Sequence, residues 1–395
     1  MSTTLSGRFS QDVERLREEV IAWRRHLHQY PELSFQEKKT SRFVYETLQT
    51  FPGLIVNRPT PTSAMARLIG KQPGRIVALR ADMDALPIQE ESGVPFSSRN
   101  PGVMHACGHD GHTAMLLGVA KIFSQMADRI TGELRFLFQH AEEKFPGGAR
   151  ELVRAGVMEG VDAVVGVHLW TPLAVGKVGV AYGPMMAAPD LFRLTIQGKG
   201  GHAAAPHQTV DAIAIGAQAV TNLQHLVSRR TDPLDSLVIS ITEFHAGTEH
   251  NIIPDKVEIV GSVRTFDPAL REMAPEWIEQ VIRGVTSAHG ADYELRVERG
   301  YHPVINDEMV TRTVEEAVVE ALGTNVIERV KPSMGGEDFS AYQQVTPGTF
   351  LFIGAGNPDK GAVYPHHHPR FTIDEDALVI GMNALVHGAW KLLHA

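Results

Sequence analysis

The stretch Met104-His105-Ala106-Cys107-Gly108-His109-Asp110-Gly111-His112 holds the only cysteine of the chain and three of its 19 histidines. A thiolate and an imidazole two residues apart, joined by one glycine, can both address one ion. Thiolate and neutral imidazole are the ligands that borderline divalent metals such as zinc prefer. The same residues also suit a buried free thiol beside surface histidines, because an unpaired cysteine commonly packs as a small hydrophobe. Further donors favour a metal. Asp82 and Asp84 follow the apolar run at 76–79, Glu142 and Glu143 follow the run at 134–138, and His168 follows the run at 163–167. Ligands in open α/β sheets sit at the carboxyl ends of buried strands. Asp82 and Asp84 would alternatively serve a turn ahead of Pro87.

The elements that must position these residues alternate between strand and helix. A helix is expected over 10–30, with Val13, Leu16, Val20, Trp23 and Leu27 on one face, Ser10 as cap and Pro31 as stop. Ser34-Phe35-Gln36-Glu37 reads as a capping box that opens a second helix carrying Phe43, Val44 and Leu48. Continuous apolar runs at 76–79, 134–138 and 163–167 predict strands buried on both faces, with a helix over 113–126 between the first two. From about 189 to 301 the pattern changes. Strands at 191–196, 236–244, 256–266 and 293–297 enclose helices at 210–227 and 275–287. That β-α-β-β-α-β order is the ferredoxin-like unit. A helix over 310–322, a strand at 349–353 and a helix over 375–394 follow. The expected architecture is an open α/β catalytic domain, residues 1–187 and 301–395, with a ferredoxin-like lid or dimerisation domain inserted at 188–300.

Composition narrows the function classes. Apolar content of 43% and charged content of 21% suit an ordinary globular protein, and a net charge of −9 argues against a general nucleic-acid binder. One cysteine excludes an internal disulfide and suits a reducing compartment. The polar start and the lack of an apolar run of roughly 18 residues argue against a signal peptide or membrane span. A cytoplasmic protein with neither nucleic-acid nor membrane partners is expected.

Several long motifs occur in order. They are Arg24-Arg25-His26-Leu27-His28, Arg80-Ala81-Asp82-Met83-Asp84-Ala85-Leu86-Pro87, the cysteine stretch, and Gln139-His140-Ala141-Glu142-Glu143. Gly200-Gly201-His202-Ala203-Ala204-Ala205-Pro206-His207, His250-Asn251-Ile252-Ile253-Pro254, Gly335-Gly336-Glu337-Asp338-Phe339 and His367-His368-Pro369-Arg370-Phe371 follow. In these motifs the chain resembles the two-metal amidohydrolases, which include hippurate hydrolases, N-acyl-amino-acid amidohydrolases and plant indole-acetyl-amino-acid hydrolases. Aminoacylases and metallo-carboxypeptidases belong to the same superfamily. The resemblance implies two divalent ions per subunit, zinc or manganese foremost and nickel or cobalt as alternatives. It implies ligation by Cys107, His109, Glu143, His168 and His367. In the run His366-His367-His368, spacing to Pro369 favours His367, with His366 as the alternative. Glu142 matches the general base, and Asp84 the aspartate that orients a ligand.

The resemblance also assigns the substrate side. His202 would stabilise the oxyanion, and the Gly200-Gly201 pair would leave room for a ligand to approach. Asn251, Arg264 and Gly336 would hold the free carboxylate of the product amino acid. Met185, Met186 and Phe145 are candidates for the acyl side or for simple core. A homodimer through the inserted domain is implied. The implied activity is hydrolysis of N-acyl amino acids, hippurate-like ones above all. A metallo-exopeptidase or dipeptidase using the same site is the alternative.

Overall fold

The computed structural model describes residues 5–395, which divide into two compact units. The first holds the chain up to Met185 with Ile305–Pro332 and Asp338–Ala395; the second holds Met186–Val304 and Ser333–Glu337. The expected breaks after 187 and 300 therefore fall at 185 and 304, and a short excursion joins the second unit. Its cause is local pairing. The Ala187 N–H bonds the carbonyls of Ser333 and Gly335 at 3.1 and 2.9 Å. Gly336 packs so closely on Pro189 that a Cβ would lie 2.4 Å from the ring.

In the first unit the sheet runs in the order Ile55–Asn57, Ala64–Ile69, Thr131–Gln139, Gln72–Asp82, Ala163–Ala174, Gly348–Gly356, Val178–Val180, Ile327–Arg329. The four strands from Thr131–Gln139 to Gly348–Gly356 are mutually parallel. All of Gly348–Gly356 is buried, as is Thr131–Gln139 beyond its first residue. A sheet covered on both faces has no polar side, so its strands read as unbroken apolar runs. The helices Leu5–Gln29, His109–Ser124 and Asp376–Leu393 pack on one another and share this core. The register places Asp82 opposite Gln139, so the chain after each strand emerges at one edge of the sheet.

Two expected caps are corrected. The first helix begins at Leu5 rather than Ser10, whose hydroxyl donates to Asn383 Oδ1 at 3.2 Å. The helix Lys38–Gln49 follows Glu37, whose side chain does not cap it; Glu32 Oε2 accepts from the Lys39 and Thr40 amides instead, both at 2.8 Å, so no capping box forms. The helix expected from Thr113 begins four residues earlier, at His109.

The second unit has a four-stranded antiparallel sheet in the order Leu237–His245, Lys256–Thr265, Ala188–Gln197, Asp292–Glu298, with helices Ala212–His225 and Pro268–His289. Chain order and strand order are those of a ferredoxin-like unit. Phe192, Leu194, Ile196, Ile215, Ile278 and Ile282 form its core. The second helix starts seven residues before the expected Pro275, because Asp267 caps it by accepting from the Ala269 and Leu270 amides. Pro275 then sits inside the helix and cannot bond the carbonyl four residues back. That carbonyl, of Arg271, accepts instead from Arg299 Nη1 at 2.7 Å. Among the described residues no helix is long and apolar enough to cross a membrane.

Candidate metal centre

The donors of the first unit converge. Gly108, at φ +93°, turns the chain from Cys107 into the helix whose first residue is His109. His168 lies within Ala163–Ala174, while Asp84 and Glu142-Glu143 follow the two neighbouring strand ends. Ligand atoms of Cys107, His109 and His168 lie within 4.8 Å of one another, as do those of Cys107, Glu143 and His367, and those of His109, Glu142 and Glu143. Cys107 is common to the first two sets. Two donor sets that share a thiol have the residue types to hold a pair of neighbouring cations.

Hydrogen bonds leave the right atoms free. His109 Nδ1 donates to the Asp84 carbonyl at 2.9 Å, so Nε2 is the nitrogen left to face a metal. His168 Nδ1 donates to the Leu169 carbonyl at 2.8 Å, and its Nε2 lies 3.5 Å from Cys107 Sγ. His367 adopts φ +65°, its amide anchored on the Ala106 carbonyl at 2.8 Å. His366 donates from Nε2 to the Leu169 carbonyl and stacks on Trp170, whereas His368 stacks on Tyr364 and accepts from the Arg370 amide. Of the three consecutive histidines, His367 is the one in the donor cluster.

Asp84 does more than face a ligand. Its Oδ1 lies 3.3 Å from His109 Nδ1 and accepts from the Glu142 amide at 3.0 Å; its Oδ2 accepts from the Glu143 amide at 2.9 Å. It therefore holds the backbone of both glutamates. Two further positioning residues escaped the sequence reading. His112 donates to Asp82 Oδ1 at 2.6 Å and accepts from the Leu169 amide at 2.8 Å, which ties two strands together. Arg80, fully buried, donates to Asp82, Gln139 and Asp338. A charged residue inside an apolar strand and a third histidine one turn after His109 were the available signals.

The cluster fits cations. Glu143 Oε1 lies 3.2 Å from His367 Nε2 and 3.9 Å from His109 Nε2, yet neither Glu143 Oε1 nor His109 Nε2, both buried, has a hydrogen-bond partner among the described residues. A buried polar atom left unpaired costs about 1–3 kcal/mol. Burial, then the carboxylates of Glu143, Glu142 and Asp82, push the Cys107 thiol well up. Burial opposes the charged form of His109, but Asp82, Asp84 and Glu143 outweigh it and raise the ring to about 10. The carboxylates contribute to both shifts, and a divalent cation would offset their charge. Burial, with His112 and His366 nearby, holds His168 well down and hence neutral, as a ligand must be.

The candidates His202, Asn251, Arg264 and Gly336 lie in the second unit. His202 pairs with Ile252 in a two-stranded ladder, and the Asn251 carbonyl accepts from the Ala203 amide at 3.0 Å, so these two are neighbours. His202 is exposed, and its Nδ1 accepts from the Ala204 amide, which leaves Nε2–H as the donor of the neutral ring. Arg264 stands opposite Pro189 in the sheet, and Gly336 packs on the same proline. Arg264 is half-buried and donates from Nε to Ser262 Oγ at 2.8 Å. One reading is corrected. A Cβ on Gly200 would come 2.8 Å from the Ile253 carbonyl and one on Gly201 2.6 Å from Thr209, so these glycines make room for the chain itself. Met185 and Met186 are buried core residues, while Phe145 remains accessible.

Residues 78–391 match the model of peptidase family M20/M25/M40. The chain is 69% identical over 294 residues to an N-acyl-L-amino acid amidohydrolase of Geobacillus stearothermophilus, covering 74% of this chain and 80% of that one. An N-acetylcysteine deacetylase of Bacillus subtilis is 41% identical over 362 residues, 91% of this chain and 93% of its own length. Among solved structures, the YXEP protein of Bacillus subtilis, described as a dinuclear metal binding peptidase from the M20 family, superposes with a TM-score of 0.83 at 36% identity, covering 96% of this chain and 99% of that one. The matched span contains every donor of the cluster, and the chain belongs to the peptidase family M20/M25/M40.

Proposed function

We propose that this chain hydrolyses the amide bond of N-acyl amino acids to a carboxylic acid and a free amino acid, with hippurate-like aromatic acyl groups preferred. Two divalent ions, zinc or manganese foremost, would be held by Cys107, His109, Glu143, His168 and His367. The observation that carries this reading is the pair of donor sets sharing Cys107, with buried Glu142 beside them. The relatives named for N-acyl-L-amino acids and N-acetylcysteine support the substrate class. Bound ions would supply Lewis-acid polarisation and lower the pKa of water.

The chain's own residues divide the remaining work. Glu142 accepts a proton from the attacking water at its carboxylate and returns it to the leaving nitrogen. The Nε2–H of His202 donates to the oxygen that gains charge in the transition state. Arg264, Asn251 and the Gly336 backbone hold the free carboxylate, for which a guanidinium is the natural reader. Association of two copies through the second unit belongs to the same reading. Leu237–His245 is an edge strand of its sheet, and Phe244 on that strand is 39% exposed. A cytoplasmic setting fits the single cysteine.

The test uses chelated protein reloaded separately with zinc and manganese. N-benzoylglycine, an N-acetyl amino acid and the matching free dipeptide are compared by kcat/KM. Chelation is expected to abolish turnover while far-UV circular dichroism stays unchanged, because the first unit has an extensive apolar core of its own. Faster cleavage of the free dipeptide would replace this reading with an exopeptidase.

A further inference from the structure

The expected capping box at Ser34-Phe35-Gln36-Glu37 does not cap its helix, and its side chains are used elsewhere. Ser34 Oγ donates to Asp84 Oδ2 at 2.7 Å. Phe35, at φ +67°, meets the ring of His140 edge-on at 5.6 Å. Glu37 is completely buried, and its Oε1 accepts from the Ala141 amide at 2.7 Å. Phe35 and Glu37 thus meet the turn that delivers Glu142 and Glu143, and Ser34 meets the aspartate that accepts from two of its amides.

That turn needs holding. Ala141 adopts φ +51°, a left-handed conformation that a residue with a Cβ enters only at a cost. Three successive amides of the turn end on two carboxyl groups: that of Ala141 on Glu37, and those of Glu142 and Glu143 on Asp84. We propose that Glu37 is a positioning residue that clamps the Ala141 peptide and so aims Glu142 and Glu143, with Ser34 giving parallel support through Asp84. The proposal rests on the metal-site reading above.

The chemistry of Glu37 suits the role. Burial and the nearby Asp84 push its carboxyl up to about 8, so at neutral pH it stands as an uncharged acid. An uncharged clamp accepts the Ala141 hydrogen bond without adding an anion behind a site already rich in carboxylates. Its second oxygen, Oε2, has no hydrogen-bond partner among the described residues, which a neutral group tolerates better than an ionised one. An amide at this position keeps the same acceptor.

Full-length Glu37→Ala, Glu37→Gln and the double variant Glu37→Ala with Ala141→Gly test this. Zinc affinity is measured by competition with a chromophoric chelator, alongside kcat and KM on N-benzoylglycine and a thermal melt. Glu37→Ala is expected to lose about 10–100-fold in zinc affinity and kcat, as is usual when a group behind a metal ligand is removed, with KM little changed. Glu37→Gln should stay close to the parent. The double variant should recover much of the loss, because glycine adopts the left-handed turn unaided. Parent-like zinc affinity and kcat in Glu37→Ala would overturn the proposal. So would equal damage in Glu37→Gln, or a double variant no better than the single one. A parent protein that binds no zinc or manganese would instead overturn the metal-site reading, before any variant is compared.

Discussion

The two units handle buried charge in the same way, and each has a place that departs from it. In the first, Arg80 is enclosed by Asp82, Gln139 and Asp338, all within hydrogen-bond reach. In the second, Asp190 receives Arg271 through both oxygens, together with Arg299 and the Gly300 amide. Buried ions persist when their partners are built in. The exception in the first unit is the cluster of Cys107, His109 and Glu143, where negative charge accumulates around unpaired atoms. The exception in the second is Arg264, half-buried, its charge opposed by burial, with Ser262 as its side-chain hydrogen-bond partner. One exception calls for a cation and the other for an anion.

The largest effect that would break this contrast separates two adjacent residues. Glu143→Gln should lose at least one metal ion, because a neutral amide is a poor substitute for a carboxylate ligand. Glu142→Gln should keep its ions and bind substrate, while its single-turnover rate falls by roughly 10²–10⁴-fold, the loss typical of a general base. Metal content per chain and single-turnover kinetics check both. Metal loss in Glu142→Gln with full occupancy in Glu143→Gln would reverse the roles.

A smaller effect probes the anion side. Arg264→Ala should weaken kcat/KM for an N-acyl amino acid by about 1.5–3 kcal/mol, the contribution of a charged hydrogen bond. The corresponding carboxamide substrate should lose far less, and equal losses on both would remove Arg264 from carboxylate recognition.

The smallest effect concerns the matched ions. Arg271 and Arg299 outweigh burial and hold the Asp190 carboxyl below its ordinary range. A carboxyl depressed in the folded state stabilises the fold above its unfolded pKa, near 3.9, and loses that contribution as pH falls through the folded value. Thermal melts below about pH 4 should therefore fall more steeply for the parent than for Asp190→Asn. Parallel slopes would show that this pair carries no pH-linked stability.

Much of the architecture was legible because it rests on local pattern. Unbroken apolar runs identified the buried parallel strands, and the β-α-β-β-α-β order of elements from about residue 189 marked the ferredoxin-like unit. Short edge strands such as Ile55–Asn57 and Val178–Val180 carry too few residues to show a period. The caps were misjudged at Ser10, Ser34 and Glu37 because their partners, Asn383, Asp84 and Ala141, are distant in sequence. A capping motif promises a local bond, and a better-placed distant partner overrides it.

The amino-acid sequence by itself determined which donor types gather at the strand ends, because buried strands need apolar runs and carboxylates, thiol and imidazoles stand out where those runs stop. Only the tertiary structure decided which lone pairs remain free. His109 and His112 share one helical turn, yet His112 has both nitrogens engaged, between Asp82 and the Leu169 amide, while His109 keeps Nε2 open. His366 and His367 are adjacent, yet one donates to the Leu169 carbonyl and the other faces Glu143. Residue identity is a property of the chain. Whether a nitrogen is available to a metal depends on what the fold has already bonded to it.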